Sequence, residues 1–178
     1  MFEECAGSHA AAVLAAVVPA DLDDAGLVEV MRAWERLASW VAAGQLAAIA
    51  ELARRRPRDY VDNGPGHVDR GDPRVPEISE FAVDEVASAL RLTRPTAGLR
   101  VQLAVELAGR LPATAAALRA GTIDVPRARV IMEGVAPLDD ALATAVEARV
   151  LPRAGQQTTG QLRASLSRAV LATDPAAA

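Results

Sequence analysis

Few residues of this chain are of types that do chemistry, and fewer stand close together. Its two histidines, His9 and His67, lie 58 positions apart, and Cys5 is its single cysteine. One cysteine makes neither an intramolecular disulfide nor a thiolate metal cluster. His67 is accompanied by Asp62, Asp69 and Asp72. A lone imidazole among carboxylates, in a stretch rich in Gly and Pro, is a poor ligand set for a metal ion. No Ser/His/Asp set, Gly-rich phosphate loop or plausible carboxylate pair is legible. The expectation is a chain with no catalytic residue, no cofactor and no metal.

What remains is cationic. All 19 basic residues are Arg, which the codon usage of a GC-rich genome explains more simply than selection for a phosphate-binding fork. The net charge of -4 argues against a strong whole-surface attraction to nucleic acid. The charge is nevertheless uneven. Residues 1–30 carry -6 with no Arg, while residues 91–130 carry seven Arg against Glu106 and Asp124, a net +5. Arg91, Arg94, Arg100, Arg127 and Arg129 are therefore the candidate contacts to the phosphates of double-stranded DNA.

The elements that would hold these residues read as all-α. At 178 residues, 51% hydrophobic but only 3% aromatic, the chain is dominated by Ala, Leu and Val, and Ala and Leu favour helix. The expected architecture is a compact multi-helix bundle with one long N-terminal helix and a helix-turn-helix-like pair in the middle. Residues 1–23 read as a loose segment with one short helix, about His9 to Val18. Residues 24–178 read as the helical domain, with a mobile loop over 57–78 where Gly64, Gly66, Gly71, Pro65, Pro73 and Pro76 cluster. The long helix is expected from Asp24 to Arg56. Its apolar positions step by four and three through Leu27, Met31, Trp34, Ala38, Val41, Gln45, Ala48 and Leu52. That spacing makes a seam, widened by Val30, Leu37 and Leu46, for the core of a bundle. A helix this long could also carry self-association into a homo-oligomer. Trp34 and Trp40 read as core and rim anchors. Further helices are expected from Ser79 or Glu80 to Leu90, from a Thr93 cap to Arg110, from Pro112 to Gly121 and from Pro126 to Val135. Two more run from Asp139 or Asp140 to Leu151 and from a Thr158 or Thr159 cap to Ala172.

Asp84 to Leu90, Arg91-Leu92-Thr93 and Arg94 to Leu99 form the helix-turn-helix-like pair, with Ala87, Leu92 and Leu99 as its packing positions. Arg91 stands where such motifs often place a left-handed Gly. Over a longer span, three features resemble the domain of unknown function 222 family. They are the run LRLTRPTAGLRVQLAVELAGRLPATAAALRAGTI, the helix carrying Arg127 and Arg129, and the closing TTGQLRASLSRAVLATDP. The resemblance leans on Leu111-Pro112, on Leu118 to Gly121 and on Asp174-Pro175. It implies an all-helical region of an actinobacterial family that commonly precedes an HNH endonuclease module. Such a module needs His residues close together as general base and metal ligand, and His9 and His67 do not supply them.

Three function classes follow. The first, and preferred, is a non-catalytic accessory region of an HNH-endonuclease-like protein that binds or positions DNA. The second is a helical interaction scaffold whose long helix mediates self-association. An intrinsic enzyme is the third and has the least behind it. The apolar run Ala10–Val18 is too short to span a membrane, and Glu3 and Glu4 replace the positive start of a signal peptide. The expectation is a cytoplasmic protein with no membrane partner.

Overall fold

In the computed structural model, which describes residues 6–56 and 78–173, eight α-helices are present and no strand among the described residues. They are α1 (Ser8–Ala15), α2 (Asp24–Arg54), α3 (Glu80–Leu90), α4 (Arg94–Ala108), α5 (Pro112–Ala120), α6 (Val125–Val135), α7 (Asp140–Ala154) and α8 (Thr159–Thr173). A 3₁₀ turn, Pro19–Asp21, precedes α2. The all-α bundle expected from composition is what forms. The loop expected over 57–78 falls almost wholly outside the described residues, and so do His67, Asp62, Asp69, Asp72 and Cys5.

The helix starts follow local chemistry. Asp23 Oδ1 accepts the Gly26 N–H at 2.8 Å, Asp139 Oδ1 that of Leu142 at 2.8 Å, and Asp124 Oδ1 that of Arg127 at 2.9 Å. Each satisfies one of the four N–H groups a helix leaves without a partner at its start. Thr158 and Gln161 cap α8 reciprocally: Gln161 Oε1 accepts the Thr158 N–H, and Thr158 Oγ1 accepts that of Gln161. One helix runs past its expected stop. Pro152 lies inside α7, which continues from Leu151 to Ala154. A proline in the last turn removes a single hydrogen bond, and the apolar side of Ala154 is fully buried.

The main core is built by the second half of α2 and by α3 to α8, around Leu103, Leu111, Leu118, Ile131, Val146 and Leu162. A second, smaller cluster joins Leu14 of α1 to Val30, Ala33 and Leu37 of α2, with Trp40 half-buried beside it. The N-terminal segment, expected to be loose, is docked through Leu14.

The two clusters grip different sides of α2. Residues advance by about 100° along a helix, so the line Val30, Ala33, Leu37 and the line Ala43, Leu46, Ile49 lie roughly half a turn apart. The long seam expected to form the core is consequently left between them, on the outside. Met31 is 62% exposed, Trp34 45% and Val41 56%, and Ala38, Gln45 and Ala48 are exposed with them. Val30, Leu37 and Leu46, the residues expected only to widen the seam, are the ones that face the core. Trp34 is thus a surface residue.

Two glycines mark where elements come closest. Gly121 ends α5 with φ of +72°, and a Cβ there would stand 2.9 Å from both Arg36 Cβ and Arg36 O on α2. Gly155, after α7, faces the Thr122 carbonyl so closely that a Cβ would overlap it.

Candidate functional site

The five arginines do not converge on one surface in equivalent roles. Arg127 is structural: its guanidinium bonds Asp124 in its own first turn, and its Nε donates to the Gln157 carbonyl at 2.8 Å. It thereby ties α6 to the loop before α8. Arg129 follows on the same helix, and its Nε is buried with no hydrogen-bond partner among the described residues. Arg94 opens α4 but turns back onto α3, with Nη2 3.0 Å from Glu80 Oε2 and Nε 2.8 Å from Asp84 Oδ1. The hydrogen bond to Glu80 and the nearby Asp84 charge raise its pKa. Arg100 Nη1 donates to Gln45 Oε1 on α2 at 3.1 Å. Arg91 is the exposed member at the α3–α4 turn.

The charge around this pair is correspondingly mixed. Counting along the chain from 91 to 130 leaves out Glu80, Asp84 and Glu85 on α3. With them included, residues 80–130 carry a net of only +2. Arg56, at the end of α2, is also consumed by α3, with its Nε 3.0 Å from Glu85 Oε1.

The α3–α4 pair is joined by a tight left-handed turn. Arg91 adopts φ 52° and ψ 45°, the left-handed conformation that position requires. The Leu92 N–H reaches back to Ala87 O at 2.9 Å and the Arg91 N–H to Ser88 O at 3.3 Å, which is a Schellman closure formed without glycine. Its packing residues differ from those expected. Ala97 and Val101 anchor α4 and are fully buried, whereas Leu99 is 45% exposed. Leu103 and Leu107 do face inward.

Glu106 of α4, one turn before Arg110, is buried. Its Oε2 has no hydrogen-bond partner among the described residues and lies 3.5 Å from Arg110 Nη1. Burial raises its pKa, against the partial relief given by Arg110. Arg110 itself is engaged elsewhere, donating to Asp140 Oδ1 at 2.8 Å and to the Leu138 carbonyl at 2.7 Å. This group fastens α4 to the start of α7.

Two apolar surfaces stand out. One is an open groove of about 730 Å³ between α2, α4 and α5, lined largely by Ala47, Ala50, Ala104, Ala115 and Ala116, with Glu51, Arg54 and Arg119 at its polar positions. The other is the outward line of α2 through Met31, Trp34, Ala38 and Val41. Its spacing was legible in the sequence, but its direction was not, because periodicity alone does not say which face a neighbour will cover. No group of three or more His, Cys, Asp or Glu could hold a metal among the described residues. No helix among them is long and apolar enough to cross a membrane.

Comparison with known proteins adds one match. Neither a curated protein nor a solved structure matches the chain. A family model does match, from the middle of α2 onward and across every later helix of the bundle. The chain belongs to the family described as Domain of unknown function (DUF222), whose model covers residues 35–178.

Proposed function

We propose that this chain is a non-catalytic helical scaffold that self-associates through the outward face of α2. One observation carries the proposal. A 31-residue helix presents Met31, Trp34, Ala38 and Val41 at coiled-coil spacing, and all four are exposed because the chain buries other sides of the helix. An isolated exposed apolar residue is ordinary on a protein surface, but a contiguous line on one helix marks an interaction face. In a nuclease-associated setting of the kind the family resemblance implies, such a scaffold holds two copies of an attached module at a fixed separation. The test is mass in solution. Light scattering across a concentration series is expected to show a dimer for the wild-type chain and a monomer for Trp34→Glu with unchanged far-UV circular dichroism. A wild-type chain that stays monomeric at the highest concentration overturns the proposal.

Contact with double-stranded DNA is supported by a separate observation, the left-handed Arg91 at a helix-turn-helix-like junction. Arg91 and Arg100 carry that reading; Arg94 serves it only by leaving Glu80 and Asp84, and Arg127 is held by Asp124 and the Gln157 carbonyl. Arg91→Ala with Arg100→Ala is expected to abolish salt-dependent duplex binding in a fluorescence anisotropy titration. Binding that the pair of substitutions leaves unchanged overturns it.

A further inference from the structure

The outward face of α2 is not uniform along its length. Its bulkiest exposed residues, Met31 and Trp34, stand in the first half, and the second half carries Gln45 and Ala48. Nothing lies within 4 Å of the position a Cβ would take at Gly44, which stands exposed beside Gln45. Its charge is equally polar. Asp21, Asp23 and Asp24 surround the start of the helix, and Arg54 and Arg55 stand at its end with side chains 72% and 65% exposed.

From this asymmetry we infer that two copies pair antiparallel along α2, an inference that rests on the self-association proposed above and adds its orientation and register. The seam positions alternate as the a and d sites of a heptad, and antiparallel pairing sets each a site against a d site of the other helix. One register satisfies all of them at once. Met31 then lies against Ala48 of the second copy, Trp34 against the exposed Gln45, whose amide oxygen is held by Arg100, and Ala38 against Val41. Each of the two bulky residues, Met31 and Trp34, meets a smaller side chain. The same register brings Asp24 opposite Arg55 at both ends of the pair.

A parallel arrangement fails on both counts. It stacks Trp34 on Trp34 and Met31 on Met31, leaves Ala38 and Ala48 facing themselves across a gap, and sets acid against acid and arginine against arginine. Like charges held close weaken an interface and opposite charges fix its register. The exposed Arg54 and Arg55 now share Glu51, at 2.7 Å each. Exposed pairs of this kind hold weakly and exchange partners readily. A seam about 46 Å long and one helix wide is at the small end of stable interfaces, and the dimer is expected to be concentration-dependent.

Disulfide trapping separates the arrangements. In a Cys5→Ser background, Met31→Cys and Ala48→Cys are made singly, one carrying a size tag, and oxidised alone and mixed. The antiparallel register is expected to give a cross-linked heterodimer from the mixture and little product from either variant alone. Efficient self-linking of each variant, in chains that light scattering shows to be dimeric, overturns the orientation while leaving self-association standing. Monomers without cross-links overturn both. A charge exchange provides a check without new cysteines. Asp24→Arg or Arg55→Asp alone is expected to raise the dimer Kd about tenfold, and the double variant to restore it to within about twofold. A double variant as weak as the worse single variant also overturns the register.

Discussion

The Glu147 carboxylate on α7 caps α5 from across the bundle: its Oε1 accepts the backbone N–H of Thr114 at 2.6 Å, and both residues are buried to 1% exposure or less. α5 begins with Leu111 and Pro112 and has no side-chain cap of its own. A carboxylate at a helix start satisfies an orphan donor and meets the positive end of the helix dipole. Glu147→Ala leaves that N–H buried without a partner and opens a cavity, and is expected to cost about 2–4 kcal/mol in urea unfolding. Glu147→Gln keeps an acceptor and is expected to cost about 1 kcal/mol. Thr114→Val tests the same place from the other side. The Thr114 hydroxyl is buried with no hydrogen-bond partner among the described residues, so losing it is expected to be neutral or to stabilise by up to about 1 kcal/mol.

Arg91 holds a left-handed conformation that costs a side-chain-bearing residue about 1–2 kcal/mol and costs glycine almost nothing. Arg91→Gly is expected to stabilise the chain by about 0.5–1 kcal/mol, after the greater flexibility of glycine in the unfolded state is subtracted. Thermal unfolding of the two chains side by side measures it.

Gly121 gives the opposite result at the matching position of α5. Gly121→Ala combines a positive φ with a Cβ pressed against Arg36, on the helix that frames the bundle. The expected loss is about 2–4 kcal/mol. Far-UV circular dichroism with urea measures it, and Ala120→Gly, one residue earlier in the exposed last turn, serves as a control with an expected loss of about 1 kcal/mol.

Two carboxylates give opposite pH dependences. Burial holds Glu106 above its ordinary pKa, so the folded chain binds that proton more tightly than the unfolded chain. Its contribution to stability is complete below the ordinary carboxylate range and is lost as pH rises through the raised value. Glu51 is held down at about 2 by its hydrogen bonds to Arg54 and Arg55. Its contribution is present above the ordinary range and is lost as pH falls toward that value. Glu106→Gln is therefore expected to gain on the wild type as pH rises from 4 to 7, and Glu51→Gln to narrow its deficit as pH falls from 4.5 to 2. Melting temperatures across that range measure both.

Where the sequence could be read, the information was local. Asp23, Thr93, Asp139 and Thr158 announce helix starts within three residues of themselves, and Pro and Gly announce most of the stops. Charge was legible as a count but not as a surface, because Arg94 turns back onto Glu80 and Asp84 of α3, which a window beginning at residue 91 omits. Glu147 gave no signal at all. Its partner lies 33 residues away, and nothing in a helix-spaced glutamate shows that it will cap a different helix. The direction of the α2 seam was hidden for a related reason. A periodic line tells which residues share a face, whereas the choice of the inward face belongs to α1, α4 and α5.

Trp34 and Leu37 turn that last distinction into a measurement. They lie three residues apart on one helix, and sequence alone gives both to the core. Leu37 is 6% exposed between α1 and α2, and Leu37→Ala is expected to lower unfolding free energy by about 2–4 kcal/mol. Trp34→Ala removes a larger side chain from the outside of the helix. Measured well below the dimerisation concentration, it is expected to change unfolding free energy by no more than about 0.5 kcal/mol, while the dimer Kd rises at least tenfold. A Trp34→Ala chain destabilised as strongly as Leu37→Ala at that dilution would place the indole in the core and remove the interface with it.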